Sequence, residues 1–188
     1  MEFLTPDELL SVLKIAKAQS IRDWLMILFA YSHGLRAGEV CAVRITDIND
    51  GAVTFARLKG SKTTVQPLEG HQGQPLLNEI KGLREWTRLR PTDLGEYLFP
   101  SEKGGHLSTT QFYRLFNRYA TLVGLPRAKA HPHVLKHSLA NHLVRQGVNP
   151  AHIQQRLGHA DIDSTMRYIA LNDTEVSEKV HNSLMEIF

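Results

Sequence analysis

Four histidines and a lysine fall within the thirteen residues HPHVLKHSLANHL at positions 131–143. Histidine at this density means metal ligation, proton transfer or a crowded polar surface. His133 and His137 are spaced for one helix face, as metal ligands can be. The stretch lacks the glutamate of an H-E-x-x-H site, however, and no cysteine lies nearby. A zinc site therefore fits poorly, and neither a metal nor a cofactor is expected. Three other polar clusters could do chemistry: GLRAGEV (34–40), RLKGSK (57–62) and LGHADIDSTMRY (157–168). Taken singly, each has a plain reading. Arg36 and Glu39 are spaced for a surface i,i+3 ion pair, Lys59 and Lys62 for a solvated turn, and Tyr168 for an aromatic at the edge of a core.

The elements that carry these clusters are mostly helical. LTPDELLSVLKIAKA opens with a cap at Thr5, a first-turn Pro6 and Glu8 to complete a capping box. IRDWLMILFAYSHG reads as a mostly buried helix ending at Gly34, and RAGEVCAV as a short one. Between positions 45 and 68 the pattern changes to AVTFARL, the turn KGSK and the return strand TTVQPL. Helix returns at about 74–90, 108–123, 133–146, 150–157, 164–171 and 173–186, with Gly147, Asn149 and Pro150 punctuating two of these segments. The expected fold class is mainly α with a small antiparallel β insertion, as one domain spanning 1–188.

Charge is unevenly distributed. The net formal charge is only +3, yet from Lys103 through Ala160 there is no acidic residue against eight Lys/Arg and seven His. Such a block suits a polyanionic partner. The first fifty residues and the last twenty are net acidic. No run is long enough to cross a bilayer, the N-terminal residues lack the pattern of a signal peptide, and the single cysteine fits a reducing compartment. Cytoplasmic location is the expectation.

The clusters in combination resemble the catalytic domain of tyrosine recombinases, the phage-integrase family. That family carries a G-L-R-x-x-E box, a lysine in a β-hairpin, an H-x-x-R box, an L-G-H box and a tyrosine nine residues after that histidine. Here these are Gly34-Leu35-Arg36 with Glu39, then Lys59, His133-Val-Leu-Lys136, Leu157-Gly158-His159 and Tyr168. In outline the chain is most similar to the stand-alone recombinases that invert fimbrial promoter elements, which also begin near FLT, carry HG-R and lack a separate N-terminal core-binding domain.

The resemblance implies that Tyr168 attacks a DNA phosphodiester and holds the 3′ end covalently, without a metal. It implies that Arg36 clamps the phosphate, that His133 and His159 donate hydrogen bonds or move protons, that Lys59 protonates the 5′-hydroxyl leaving group, and that Glu39 orients the site. Double-stranded DNA is the expected partner, with a tetramer assembling on it. The last helix, about 173–186, packs either in cis or on a neighbouring protomer. Lys136 departs from the pattern, since the usual residue there is arginine. An ammonium keeps the charge but loses the bidentate fork, so strand cleavage is expected to be slower than with arginine. Two other readings share much of this pattern: a DNA-binding regulator that retains the fold without catalysis, and a type IB topoisomerase.

Overall fold

The computed structural model describes residues 2–58 and 62–170. Its helices are α1 (Pro6–Gln19), α2 (Ile21–Ser32), α3 (Ala37–Cys41), α4 (Glu79–Leu89), α5 (Thr109–Leu122), α6 (His133–Arg145), α7 (Pro150–Leu157) and α8 (Asp163–Ala170). The strands β1 (Ile48–Asn49), β2 (Ala52–Phe55) and β3 (Thr64–Pro67) form one antiparallel sheet in that order.

Local chemistry sets the boundaries. The expected capping box is present: Thr5 Oγ1 accepts from Glu8 N, and Thr5 N donates to Glu8 Oε2. Ser20 caps α2, Asn78 caps α4, Asn149 caps α7, and Ser108 with Gln111 forms a second capping box at α5. α4 begins later than the expected position 74. Pro75–Leu77 form a separate 3₁₀ turn, and the Asn78 side chain, accepting from Lys81 N, starts the α-helix proper.

α2 is the central element. Its residues Trp24 through Ala30 are all fully buried, and it packs against α1, α3, α4 and α6. A helix apolar on every side belongs inside the domain. Phe29 makes edge contacts with Phe55 of β2 and with Phe99. A smaller cluster of Leu139, Ala140, Ile153, Leu157 and Tyr168 joins α6, α7 and α8. The sheet rests against α7 through β3, so the described residues of the polar clusters are brought to the junction of α3, the sheet, α6, α7 and α8. Among the described residues, no helix is long and apolar enough to cross a membrane.

Candidate active site

The site is built from the turn after α2 outward. Gly34 adopts φ 58°, and a Cβ there would fall 2.5 Å from Leu157 Cδ2. Glycine therefore lets the α2–α3 turn press against the end of α7. Arg36 follows, immediately before α3. Glu39 then takes up the donors around it: Oε2 accepts from Arg36 N at 2.9 Å, and Oε1 accepts from Arg36 Nη1 at 2.9 Å and from Leu58 N at 3.1 Å. The spacing suggested a surface ion pair, but Glu39 is buried. Burial pushes its pKa up, yet the hydrogen bonds from Arg36 and Leu58 and the Arg57 charge outweigh this, leaving it below the ordinary value of 4.5.

Sequence reasoning passed over Arg57, which the fold makes central. Its guanidinium donates to Glu39 Oε2 (3.1 Å), Gly34 O (3.2 Å), His33 O (3.0 Å) and Arg156 O (2.9 Å), and its Nε to Thr64 Oγ1 (3.1 Å). One buried side chain thus ties the hairpin to the α2–α3 turn and to the last turn of α7. The signal available beforehand was its place in RLKGSK, where an inward-facing arginine looks the same as a solvated one. Arg57→Met leaves the Glu39 carboxylate buried with part of its compensation gone. We expect a loss of about 3–5 kcal/mol of folding stability, measured by urea unfolding.

Gly158 closes α7 in the left-handed conformation, φ 65°, as its place in the L-G-H box suggests. A Cβ at Gly158 would meet Arg57 Nε at 2.9 Å. Gly158→Ala is therefore strained in its backbone and displaces Arg57 as well. It should destabilise the fold by about 1–2 kcal/mol, read as a lowered Tm, and weaken any chemistry at His159.

Lys136, His159 and Tyr168 converge beyond this turn. Lys136 is 3% exposed, and its Nζ donates to Leu157 O at 2.7 Å. Burial, with the charges of Arg36 and Arg57, lowers its pKa to about 7, against a smaller opposing effect of Glu39. His159 Nδ1 lies 3.0 Å from Thr165 Oγ1, and its ring is parallel to that of Tyr168 with centroids 6.5 Å apart. Its pKa falls to about 4, through burial first and then the neighbouring Lys136 and Arg36 charges. Tyr168 is 4% exposed, with its Oη 2.8 Å from His137 Nδ1. Burial raises the phenol to about 12, against the charges of Arg36 and Arg167. Arg36 thus exerts its field on Lys136, His159 and Tyr168 together.

His133 is exposed, whereas Lys136, three residues on, is buried and turned to the end of α7. His137 is the partner of the tyrosine hydroxyl and stands edge-to-face with His133 at 5.1 Å. Burial, then the charges of His133 and His131, lowers its pKa to about 4. His142 does contact backbone, through Leu4 O at 2.8 Å, and also pairs with Tyr31. At the start of α8 the Asp161 carboxylate accepts from Asp163 N. Lys59 and the helix expected at 173–186 lie outside the described residues.

A tyrosine hydroxyl paired with one imidazole thus lies parallel to a second histidine and within the field of Arg36, with a buried lysine at the end of α7. The fold carrying it is that of tyrosine-recombinase catalytic domains. The phage integrase family matches residues 2–175, and the chain belongs to that family. Type 1 fimbriae regulatory protein FimB of Escherichia coli strain K12 is 36% identical over 177 residues, covering 90% of this chain and 84% of FimB. Tyrosine recombinase XerA of Pyrococcus furiosus is 33% identical over 185 residues, covering 96% of this chain and 61% of XerA, so the chain spans about three fifths of that relative. A crystal structure of XerA recombinase matches with a TM-score of 0.80 at 26% identity, over 97% of this chain and 65% of that one. XerH site-specific recombinase bound to its difH substrate before cleavage shares the fold, with a TM-score of 0.72 at 23% identity over 89% of this chain and 49% of that one. Site-specific DNA recombination is the function class that this membership defines.

Proposed function

We propose that this chain breaks and rejoins DNA strands through a 3′-phosphotyrosine on Tyr168. The observation that carries the reading is the Tyr168 hydroxyl, 2.8 Å from His137 Nδ1 and within the field of Arg36. Tyr168 Oη attacks the phosphorus while its proton passes to His137, the imidazole that stands within hydrogen-bond reach of it. The bond to the 5′-oxygen breaks, and Lys59 supplies the proton that the leaving hydroxyl needs. Arg36 takes two non-bridging oxygens through its guanidinium fork, and Lys136 adds positive charge from below. His133 at the rim and His159 beside the tyrosine complete the donors, and Glu39 aims Arg36. Attack by a 5′-hydroxyl from another strand reverses the step and conserves the bond energy.

Double-stranded DNA is the partner in this reading, held through phosphate contacts by the basic block that includes α5 and α6. Four protomers around two duplexes, with the C-terminal helix exchanged between neighbours, would complete the assembly. Such work on DNA belongs in the bacterial cytoplasm or nucleoid.

The test uses a nicked suicide duplex taken from the flanks of the encoding gene. After incubation, the denatured protein should migrate with attached DNA. Peptide mass spectrometry should find the nucleotide on Tyr168, linked through its 3′ phosphate. Attachment through a 5′ phosphate, or on another residue, would refute the mechanism. Binding without any adduct would point instead to a regulator that retains the fold.

A further inference from the structure

β3 inverts the pattern of a half-buried strand: Val65 is 69% exposed, and the side chain of Gln66 goes inward at 4%. A buried amide is retained only with matched partners. Gln66 Nε2 donates to Arg156 O at 2.8 Å and to Thr64 Oγ1 at 3.2 Å. A carbonyl only accepts, so the amide orientation is set, and Gln66 Oε1 faces His33 Nδ1 at 2.9 Å. That oxygen also only accepts, so Nδ1 carries the hydrogen.

The other ring nitrogen stands 3.2 Å from Glu79 Oε1, and neither side chain is exposed. Neither of these two atoms makes a hydrogen bond, so the ring is held through Nδ1 and by packing. The second oxygen of Glu79 accepts from Glu69 N at 2.8 Å. Around the ring are Phe29 and Phe55, at 5.3 and 4.7 Å between centroids. The nearby cations are spoken for: Arg57 donates to His33 O, and Arg156 donates to Ser32 O and pairs with Glu69.

We propose that His33 is a positioning residue for strand cleavage: buried beside Glu79, it holds Gln66 through Nδ1, and Gln66 locks the β2–β3 hairpin to the end of α7. The arrangement has a use at both ends. The β2–β3 connection carries Lys59, and the end of α7 leads through Gly158 into His159. Gln66 and Arg57 both donate to the same Arg156 carbonyl, so the hairpin and α7 are clamped twice, once from each strand of the hairpin. None of His33, Gln66 and Glu79 reaches the tyrosine; each acts through the elements it holds. This inference rests on the recombinase reading above for its effect on cleavage, but not for the link between His33 and Gln66.

Two measurements test it. In protein labelled with 15N at histidine, His33 Nδ1 should show the signature of a nitrogen that carries the hydrogen Gln66 Oε1 accepts. A lone-pair signature at Nδ1 would overturn the link to Gln66. Separately, Gln66→Leu keeps an inward side chain of similar size but breaks the link. Adduct formation in a single turnover should fall about 10–100-fold, the range for groups that orient catalytic residues, while the dissociation constant for the same duplex stays unchanged. Undiminished cleavage, or a parallel loss of binding and cleavage, would overturn the positioning role. If the wild-type protein forms no adduct at all, the recombinase reading fails, and the Nδ1 signature still decides whether His33 holds Gln66.

Discussion

Tyr168→Phe forms no covalent protein–DNA adduct on a nicked suicide duplex, and it retains that duplex in a mobility-shift assay as well as the wild type does. The expected loss is complete because the substitution removes the only atom that can form the ester. The fold should tolerate it. Phenylalanine keeps the ring that lies parallel to His159, and the single bond to His137 is worth about 0.5–1.5 kcal/mol. His137 is left without that partner, but its lowered pKa keeps it neutral at physiological pH. Survival of adducts in the phenylalanine variant would show that another residue attacks the phosphate.

Removing the positive charge at position 136 should have the next largest effect. Lys136→Met keeps most of the buried stem and loses the ammonium, and cleavage should drop by about 10²–10³-fold, as when one preorganised donor is lost. The pH dependence is more diagnostic. With its pKa lowered from 10.5 to about 7 by burial and by Arg36 and Arg57, Lys136 loses its proton as pH rises through neutrality. Wild-type cleavage should therefore decline above about pH 7 on single-turnover profiles. Lys136→Arg stays charged and should lack that decline, cleaving at least as fast as wild type at alkaline pH. A flat wild-type profile, or an arginine variant that cleaves far more slowly, would mean that the site is built around lysine for another reason.

Stability should run the other way. Between about pH 7 and 10.5 the unfolded chain binds a proton at Lys136 that the folded one does not, so folding stability rises with pH across that window. Below about pH 7 the folded protein carries the buried ammonium at its full penalty. The upper bound on this contribution is about 5 kcal/mol. Urea unfolding of wild type and Lys136→Met across the window should converge at the alkaline end.

The fold was legible where local chemistry decides it. The Thr5–Glu8 capping box, the mostly apolar α2, the Asn149–Pro150 start and the Gly158 end of α7 all depend on neighbours within a few residues. Legibility failed where a residue's direction depends on distant chain. Arg57 and Lys62 sit in the same polar run, yet only Arg57 is buried against Glu39. His137 differs from His133 by one turn of helix, but only α8 packing against α6 brings Tyr168 to it. Gln66 breaks the alternation of β3, and strand patterning alone gives no reason for that inversion.

From the order and spacing of its polar boxes, the sequence by itself determined the family and the fold class. Each box is a short run whose residue types suit one phosphate-directed task, and their order along the chain is readable without coordinates. Only the tertiary structure decided how those groups are held. Glu39 binds two guanidinium groups at once, Lys136 lies under the site against Leu157 O with a pKa near neutrality, and His137 rather than solvent faces the tyrosine hydroxyl. The physical reason is that burial and pairing belong to contacts between segments far apart in the chain, 99 residues between Arg57 and Arg156 and 138 between Leu4 and His142. A side chain's charge, depth and hydrogen-bond partner are settled by what the fold brings against it.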